Sequence, residues 1–184
     1  MVHSLEQIVN LCSDVTNNSK EIKKGSLFLA IPGTAFDGRN YISEAIKNGA
    51  SAIIYEKKDF KLKDQILIPH LGIQNLHKQQ AKILKSFFTN PSKFLKIIGI
   101  TGTNGKTSVA GWLSQSLNLL NCKAGIIGTL GYEVLGKKIK TLNTTPDIIS
   151  LSNMLNNAVH EQCEFVVLEV SSHALQQKRI ENID

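Results

Sequence analysis

The sequence predicts an α/β fold in two consecutive units, the second built on a parallel sheet. Three observations lead there. Short apolar runs alternate with longer segments whose apolar residues recur every three or four positions, as buried strands interleaved with amphipathic helices do. Asn90-Pro91-Ser92 interrupts the alternation near the middle of the 184 residues, and the pattern then restarts. A glycine-rich stretch from Gly99 to Gly105 joins a strand-like run directly to a helix-like one. The units are therefore placed at 1–92 and 93–184.

In the first unit, Ser4 is placed to cap a short helix with Leu5, Ile8, Val9 and Cys12 on one face. Asp14 to Lys24 reads as a polar connection. Leu27–Ile31 reads as a strand stopped by Pro32-Gly33. Ile42, Ala45 and Ile46 mark a helix, Ala52–Tyr55 and Ile66–Ile68 two further strands, and Gln74–Phe88 a longer helix. In the second unit, Ile97–Thr101 is expected as a strand. Lys106–Leu120 follows as a helix with Val109, Trp112, Leu113, Leu117 and Leu120 inward. Ile126–Leu130 and Phe165–Val170 are further strands. Asp147–His160 is a helix with Thr145 as N-cap and Pro146 at its first position.

Composition bounds the function. A 42% hydrophobic content supports packed cores, and 20% charged residues argue against a disordered chain. The net charge of +6 is almost all lysine, since Arg39 and Arg179 are the two arginines. The lysines are scattered, with no basic–aromatic stripe. A solvated surface explains them better than a nucleic-acid footprint, so no nucleic-acid partner is expected. Cys12, Cys122 and Cys163 are too far apart for a zinc pattern and read as small hydrophobes. The N-terminal residues lack a secretory pattern, and no apolar run approaches the roughly 20 residues of a membrane span. A cytoplasmic location without membrane attachment is expected.

The segment Gly99-Ile-Thr-Gly102-Thr-Asn-Gly105-Lys106-Thr107-Ser108 carries the chemistry. Glycines let successive N–H groups converge on phosphate oxygens, and the following helix adds its positive end. Lys106 would meet the β- and γ-phosphates, and Thr107 or Ser108 would offer a hydroxyl to Mg²⁺. The pattern is G-x-x-G-x-x-G-K-T rather than G-x-x-x-x-G-K, because Ile100 stands where the first glycine belongs. An ordinary glycine-rich turn is the plain alternative. Glu169, closing the apolar strand Phe165–Leu168, is the second acidic element that such sites use for Mg²⁺. Taken alone, it could equally be a helix cap or a surface acid.

Thr101–Ser108 resembles the ATP loop of the Mur ligases and folylpolyglutamate synthases. Glu169-Val-Ser-Ser-His-Ala-Leu175 resembles a narrower signature. It is that of the Mur ligases (the MurE type) adding the third amino acid to UDP-N-acetylmuramoyl-L-alanyl-D-glutamate. Ser19, Gly25–Ala30, Gly33 and Asp37-Gly-Arg-Asn-Tyr41 resemble the same family's uridine-nucleotide domain in order and spacing. The resemblance implies a small α/β uridine-nucleotide-binding domain followed by the first part of a P-loop parallel-sheet ATP-binding domain. Lys20 stands where the family usually has arginine, which keeps the charge but loses the planar fork. The Thr34-Ala35-Phe36 loop differs from the histidine-containing version of some members.

Position by position, the resemblance implies ATP contacts from Gly102, Thr103, Asn104, Gly105, Lys106, Thr107 and Ser108. Lys106 is the catalytic cation, and Thr107 and Glu169 hold Mg²⁺. Asn17, Ser19, Thr34, Ala35 and Phe36 would surround the uridine. Asn143, Thr144 and Thr145 would lie near the sugar-peptide portion while also serving as a helix cap. Ser171, Gln177 and Arg179 would hold the acidic peptide arm. His173 is given no catalytic role. The implied reaction passes the γ-phosphoryl group of ATP to the D-glutamyl carboxylate, and an amine then attacks the acyl phosphate. The family places a carbamylated lysine and an amino-acid-binding domain further along, so these residues alone are expected to be inactive. UDP-N-acetylmuramoyl-dipeptide and an amino acid, diaminopimelate rather than lysine, are the implied substrates, and a monomer is expected. A folate-type ligase, a P-loop kinase and a basic nucleic-acid module are the competing readings.

Overall fold

A computed structural model describes residues 4–33, 36–62, 66–88, 90–141 and 143–183. Packing divides the chain into two compact units, Met1–Phe87 and Phe88–Asp184.

The first unit opens with helix α1 (Leu5–Asn10). Ser4 Oγ accepts from the Gln7 amide at 3.2 Å, and Gln7 Oε1 accepts from the Ser4 amide at 2.8 Å. This reciprocal box satisfies two otherwise orphaned donors. Strands β1 (Asp14–Thr16) and β2 (Ser26–Ala30), helix α2 (Ile42–Lys47), strands β3 (Ala52–Glu56) and β4 (His70–Ile73), and helix α3 (Leu76–Phe87) complete the unit. The sheet is wholly parallel in the order β1-β2-β3-β4. All five residues of β2 are buried, as its continuous apolar run requires of a strand covered on both faces. Phe28, Ala30 and Ile53 pack against Ile42 and Ala45 of α2.

Two expectations fail here. Ile66–Ile68 is not a strand, and Leu67 is 93% exposed. Pro69 follows, and the ladder with β3 begins only beyond it, at Ile53↔His70. Proline has no N–H to give a ladder, so the apolar triplet cannot run into the sheet. Conversely, β1 lies inside the stretch read as polar connection. Three residues, Asp-Val-Thr, contain no apolar run to detect.

The second unit contains β5 (Lys96–Ile100), α4 (Lys106–Leu119), β6 (Ala124–Gly128), β7 (Gly131–Val134), β8 (Lys137–Ile139), α5 (Ile148–His160), β9 (Phe165–Glu169) and α6 (Ser172–Gln176). Its sheet runs β5-β9-β6-β7-β8. The first three strands are parallel, and the β7–β8 hairpin extends them antiparallel. The chain enters on β5, crosses by α4 to β6, and returns by α5 to lay β9 between them. Leu151, Leu155 and Ala158 of α5 pack with Ile127, Val166 and Leu168.

Helix α4 has the expected length but a different buried face. Ala110 and Ser114 are buried and the expected Leu113 and Leu117 are half-buried, whereas Val109, Trp112 and Leu120 are 45%, 68% and 72% exposed. Small residues four apart let the helix approach β6 and β9 closely. Periodicity identifies an apolar stripe without saying which stripe meets the sheet. The start of α5 also differs. Asp147, not Thr145, is the N-cap, its Oδ1 accepting from Ile149 and Ser150 amides at 3.0 and 3.1 Å. Pro146 precedes the cap instead of opening the helix. Cys163 is buried as expected, while Cys12 and Cys122 are half-buried, and all three are free thiols.

Candidate functional site

Residues 101–105 connect β5 to α4 and are all exposed. Gly105 occupies the N-cap at φ +80°, a conformation that a side chain would strain. It offers no side-chain cap, so the first amides of α4 face outward with the helix's partial positive charge. Lys106 Nζ donates to the carbonyls of Gly102 at 2.7 Å and Thr103 at 3.4 Å, folding the ammonium over the loop. Every other described lysine is exposed; Lys106 is half-buried. The described lysines thus lie on a solvated surface, with Lys106 alone among them half-buried at the loop.

Glu169 ends β9 in register with Ile100, the last residue of β5, and is 1% exposed. Its Oε2 accepts from Thr107 Oγ1 at 3.0 Å and Thr129 Oγ1 at 3.1 Å, and its Oε1 accepts from the Thr129 amide at 3.0 Å. Gly128 makes room for it: a Cβ there would collide with Glu169 Oε1. Both strand ends open at the carboxyl edge of the parallel strands, where such sheets bind ligands. A hydroxyl and a carboxylate side by side are hard oxygen donors. Among the described residues there is no cluster of three or more histidine, cysteine or acidic side chains. A Mg²⁺ ion suits that sparse set, because it takes few protein ligands and completes its shell with phosphate oxygens and water. The residues therefore fit the metal that the loop implies.

Thr145 forms the next layer and is fully buried. Its hydroxyl donates to the Glu169 carbonyl at 2.7 Å and accepts from the Ser171 amide at 3.0 Å. Ser171 Oγ caps α6 by accepting from the Ala174 amide at 3.2 Å. Arg179 Nη1 donates to the Thr145 carbonyl at 2.6 Å, while its Nε and Nη2 grip Gln177 Oε1 at 2.9 and 2.7 Å. The structure therefore gathers Thr107, Thr145, Glu169, Ser171, Gln177 and Arg179 at one end of the sheet. Thr144 joins them through Thr129 Oγ1 at 3.1 Å. Asn143 and His173 are exposed beside this group.

Sequence reasoning missed Thr129, Gly128 and the capping role of Asp147. Gly128 ends β6 and Thr129 follows it, just as Glu169 ends β9 and the loop follows β5, and that shared position was the available signal. In the first unit, Ser19 is 6% exposed and its hydroxyl donates to Glu44 Oε2 at 2.9 Å. Asn17 is exposed and Phe36 is 73% exposed. Thr34 and Ala35 lie outside the described residues.

Comparison with known proteins agrees with this layout. Residues 13–98 match the model described as Mur ligase family, catalytic domain, and residues 100–184 match the Mur ligase middle domain. The chain belongs to the Mur ligase family. Its relatives include UDP-N-acetylmuramoyl-L-alanyl-D-glutamate--2,6-diaminopimelate ligases. That of Coxiella burnetii is 40% identical over 173 residues, covering 94% of this chain and 35% of the relative. That of Wigglesworthia glossinidia brevipalpis is 43% identical over 172 residues, covering 91% and 34%. Among solved structures, a ligase of the same name superposes with a TM-score of 0.71 at 25% identity, covering 99% of this chain and 38% of the other. The MurF ligase of Thermotoga maritima in complex with ADP superposes at 0.57 with 27% identity, covering 88% and 33%. This Mur ligase chain spans about a third of the length of the curated relatives it matches. Among the described residues, no helix is long and apolar enough to cross a membrane.

Proposed function

We propose that the protein is an ATP-dependent amide ligase joining a third amino acid, meso-diaminopimelate, to UDP-N-acetylmuramoyl-L-alanyl-D-glutamate through an acyl phosphate. In this reading, residues 1–92 bind the uridine end of the acceptor and residues 93–184 begin the ATP-binding domain. One observation carries it: the Thr107 hydroxyl and Glu169 carboxylate meet at 3.0 Å beneath a loop that presents bare helix amides and Lys106. Bound Mg²⁺, held by Thr107 and Glu169, would supply neutralisation of phosphate charge. The chain's own residues do the rest. Loop amides and Lys106 hold and orient the polyphosphate, and their charges are in place before the phosphoryl group moves. Arg179 and Ser171 lie close enough to the same carboxyl edge to fix an anionic peptide arm.

Lys106→Ala tests the reading. Removing a charge-assisted contact costs about 1.5–3 kcal/mol, roughly a ten- to hundredfold loss in affinity. Calorimetry with Mg²⁺–ATP on the protein expressed from its complete reading frame should show that loss. Binding of UDP-N-acetylmuramoyl-dipeptide should be nearly unaffected, and folates should not bind. Unchanged Mg²⁺–ATP affinity would remove the basis for the proposal.

A further inference from the structure

Thr129 has no place in the nucleotide loop, yet among the described residues it makes two of the three hydrogen bonds to the Glu169 carboxylate. Gly128 pairs with Gly131 across the β6–β7 hairpin, leaving Thr129-Leu130 as a two-residue turn. A turn residue's amide is not claimed by the strand ladder. That of Thr129 is directed at Glu169 Oε1 at 3.0 Å, and its hydroxyl reaches Oε2 at 3.1 Å. The turn is anchored in its own right, since Thr141 Oγ1 donates to the Gly128 carbonyl at 3.1 Å.

Hydrogen counting gives this network a direction. An ionised carboxylate only accepts, and a threonine hydroxyl has one proton to donate. Because Thr129 gives its proton to Glu169, the 3.1 Å contact between the Thr129 and Thr144 hydroxyls must be donated by Thr144. The relay therefore runs Thr144 to Thr129 to Glu169, and Glu169 also accepts from Thr107 on its other side. Thr144 has spent its proton and meets any ligand as an acceptor. A ligand N–H or O–H donor at Thr144 strengthens the relay, whereas a group that only accepts competes with it.

We propose that Thr129 is a positioning residue: it fixes the Glu169 carboxylate for the metal and couples that carboxylate to occupancy of the segment around Thr144. The inference rests on the proposed reading of residues 102–107 and Glu169 as a metal–nucleotide site. It adds a residue and a coupling which that reading does not contain. Partners that orient a metal-ligating carboxylate alter metal affinity by about 10–100-fold when removed.

The test uses protein from the complete reading frame, Mn²⁺ as a paramagnetic probe, and a non-hydrolysable ATP analogue. Free Mn²⁺ is followed by electron paramagnetic resonance, with and without UDP-N-acetylmuramoyl-dipeptide. Thr129→Val removes the hydroxyl but keeps the shape and the amide; Thr129→Ala is the second variant should valine perturb the turn, and circular dichroism verifies folding. In the wild type the dipeptide should tighten Mn²⁺ binding, and its failure to do so overturns the coupling; either variant should weaken Mn²⁺ binding about tenfold and abolish that tightening. Thr129→Ser should restore both to within about twofold of wild type, which a merely space-filling role would not require. Wild-type Mn²⁺ affinity in both the valine and alanine variants overturns the proposal, as does a serine variant no better than valine. Lys106→Ala separates the two layers. If it leaves Mn²⁺–nucleotide binding intact, the underlying reading has failed and the inference falls with it. If it abolishes binding while Thr129→Val does not, only the inference has failed.

Discussion

Replacing Thr145 with valine removes a hydroxyl while keeping the side chain's shape, so its effect isolates two hydrogen bonds. Thr145 is fully buried, donates to the Glu169 carbonyl at 2.7 Å and accepts from the Ser171 amide at 3.0 Å. Leaving a buried donor or acceptor without its partner costs about 1–3 kcal/mol. Two groups are affected, one of them on the half-buried Ser171, which regains some hydration. The expected loss is therefore about 2–4 kcal/mol rather than the full sum. Thr145→Ser is the matched control. It retains both hydrogen bonds and gives up one buried methyl, about 1 kcal/mol. Urea denaturation followed by circular dichroism at 222 nm reads both variants against wild type, with the slope checked for constancy. Should valine prove no more destabilising than serine, the hydroxyl does not tie the loop before α5 to the end of β9. The account of Thr145 as the structural link between Glu169 and Ser171 would then be wrong.

Two further outcomes follow from the same geometry. Asp147→Ala should cost about 1 kcal/mol in the same urea assay, the usual value of an N-cap, because Asp147 Oδ1 holds the Ile149 and Ser150 amides; a null effect would return the capping role to Thr145. Acid should destabilise the protein through Asp37 and Glu56. The hydrogen-bonded Arg39 guanidinium holds the Asp37 carboxyl below the usual carboxylate range. Burial pushes Glu56 up, but amide donors from Lys58, Leu76 and Asn75 together outweigh it and leave the carboxyl lowered. Both groups are thus more acidic folded than unfolded. The stability they contribute is complete above about pH 5, where both carboxyls are ionised even unfolded, and is lost as pH falls through the lowered folded values. Urea midpoints measured from pH 6 to pH 3 should fall in wild type and fall less in an Asp37→Asn/Glu56→Gln variant. Parallel curves would contradict this assignment.

What could be read in advance depended on how local the cause was. The helix capped by Ser4 needed only a serine and an apolar face, both within a few residues of chain, while the reciprocal bond from Gln7 appeared in the structure. The continuous apolar runs Leu27–Ala30 in β2 and Phe165–Leu168 in β9 announced their burial because a strand covered on both faces tolerates no alternation. The phosphate loop was legible for a similar reason, since its glycines, lysine and threonine are consecutive and their chemistry is carried by the backbone they shape. The cap of α5 was misplaced because Thr145 and Asp147 both have capping side chains. Only the packing of Thr145 against Glu169 and Ser171 released the role to Asp147.

The sequence by itself determined the alternation of strands and helices, the anion-seeking loop, and a carboxylate at the end of an apolar strand. These depend on residues adjacent in the chain. The tertiary structure alone decided that β9 lies between β5 and β6, which brings Glu169 to Thr107 across 62 residues and to Thr129 across 40. It also decided that α4 buries Ala110 and Ser114 most deeply, with Leu113 and Leu117 half-buried beside them and Val109, Trp112 and Leu120 left exposed. Strand order and helix rotation depend on which distant surfaces fit together, and residue spacing carries no record of that fit.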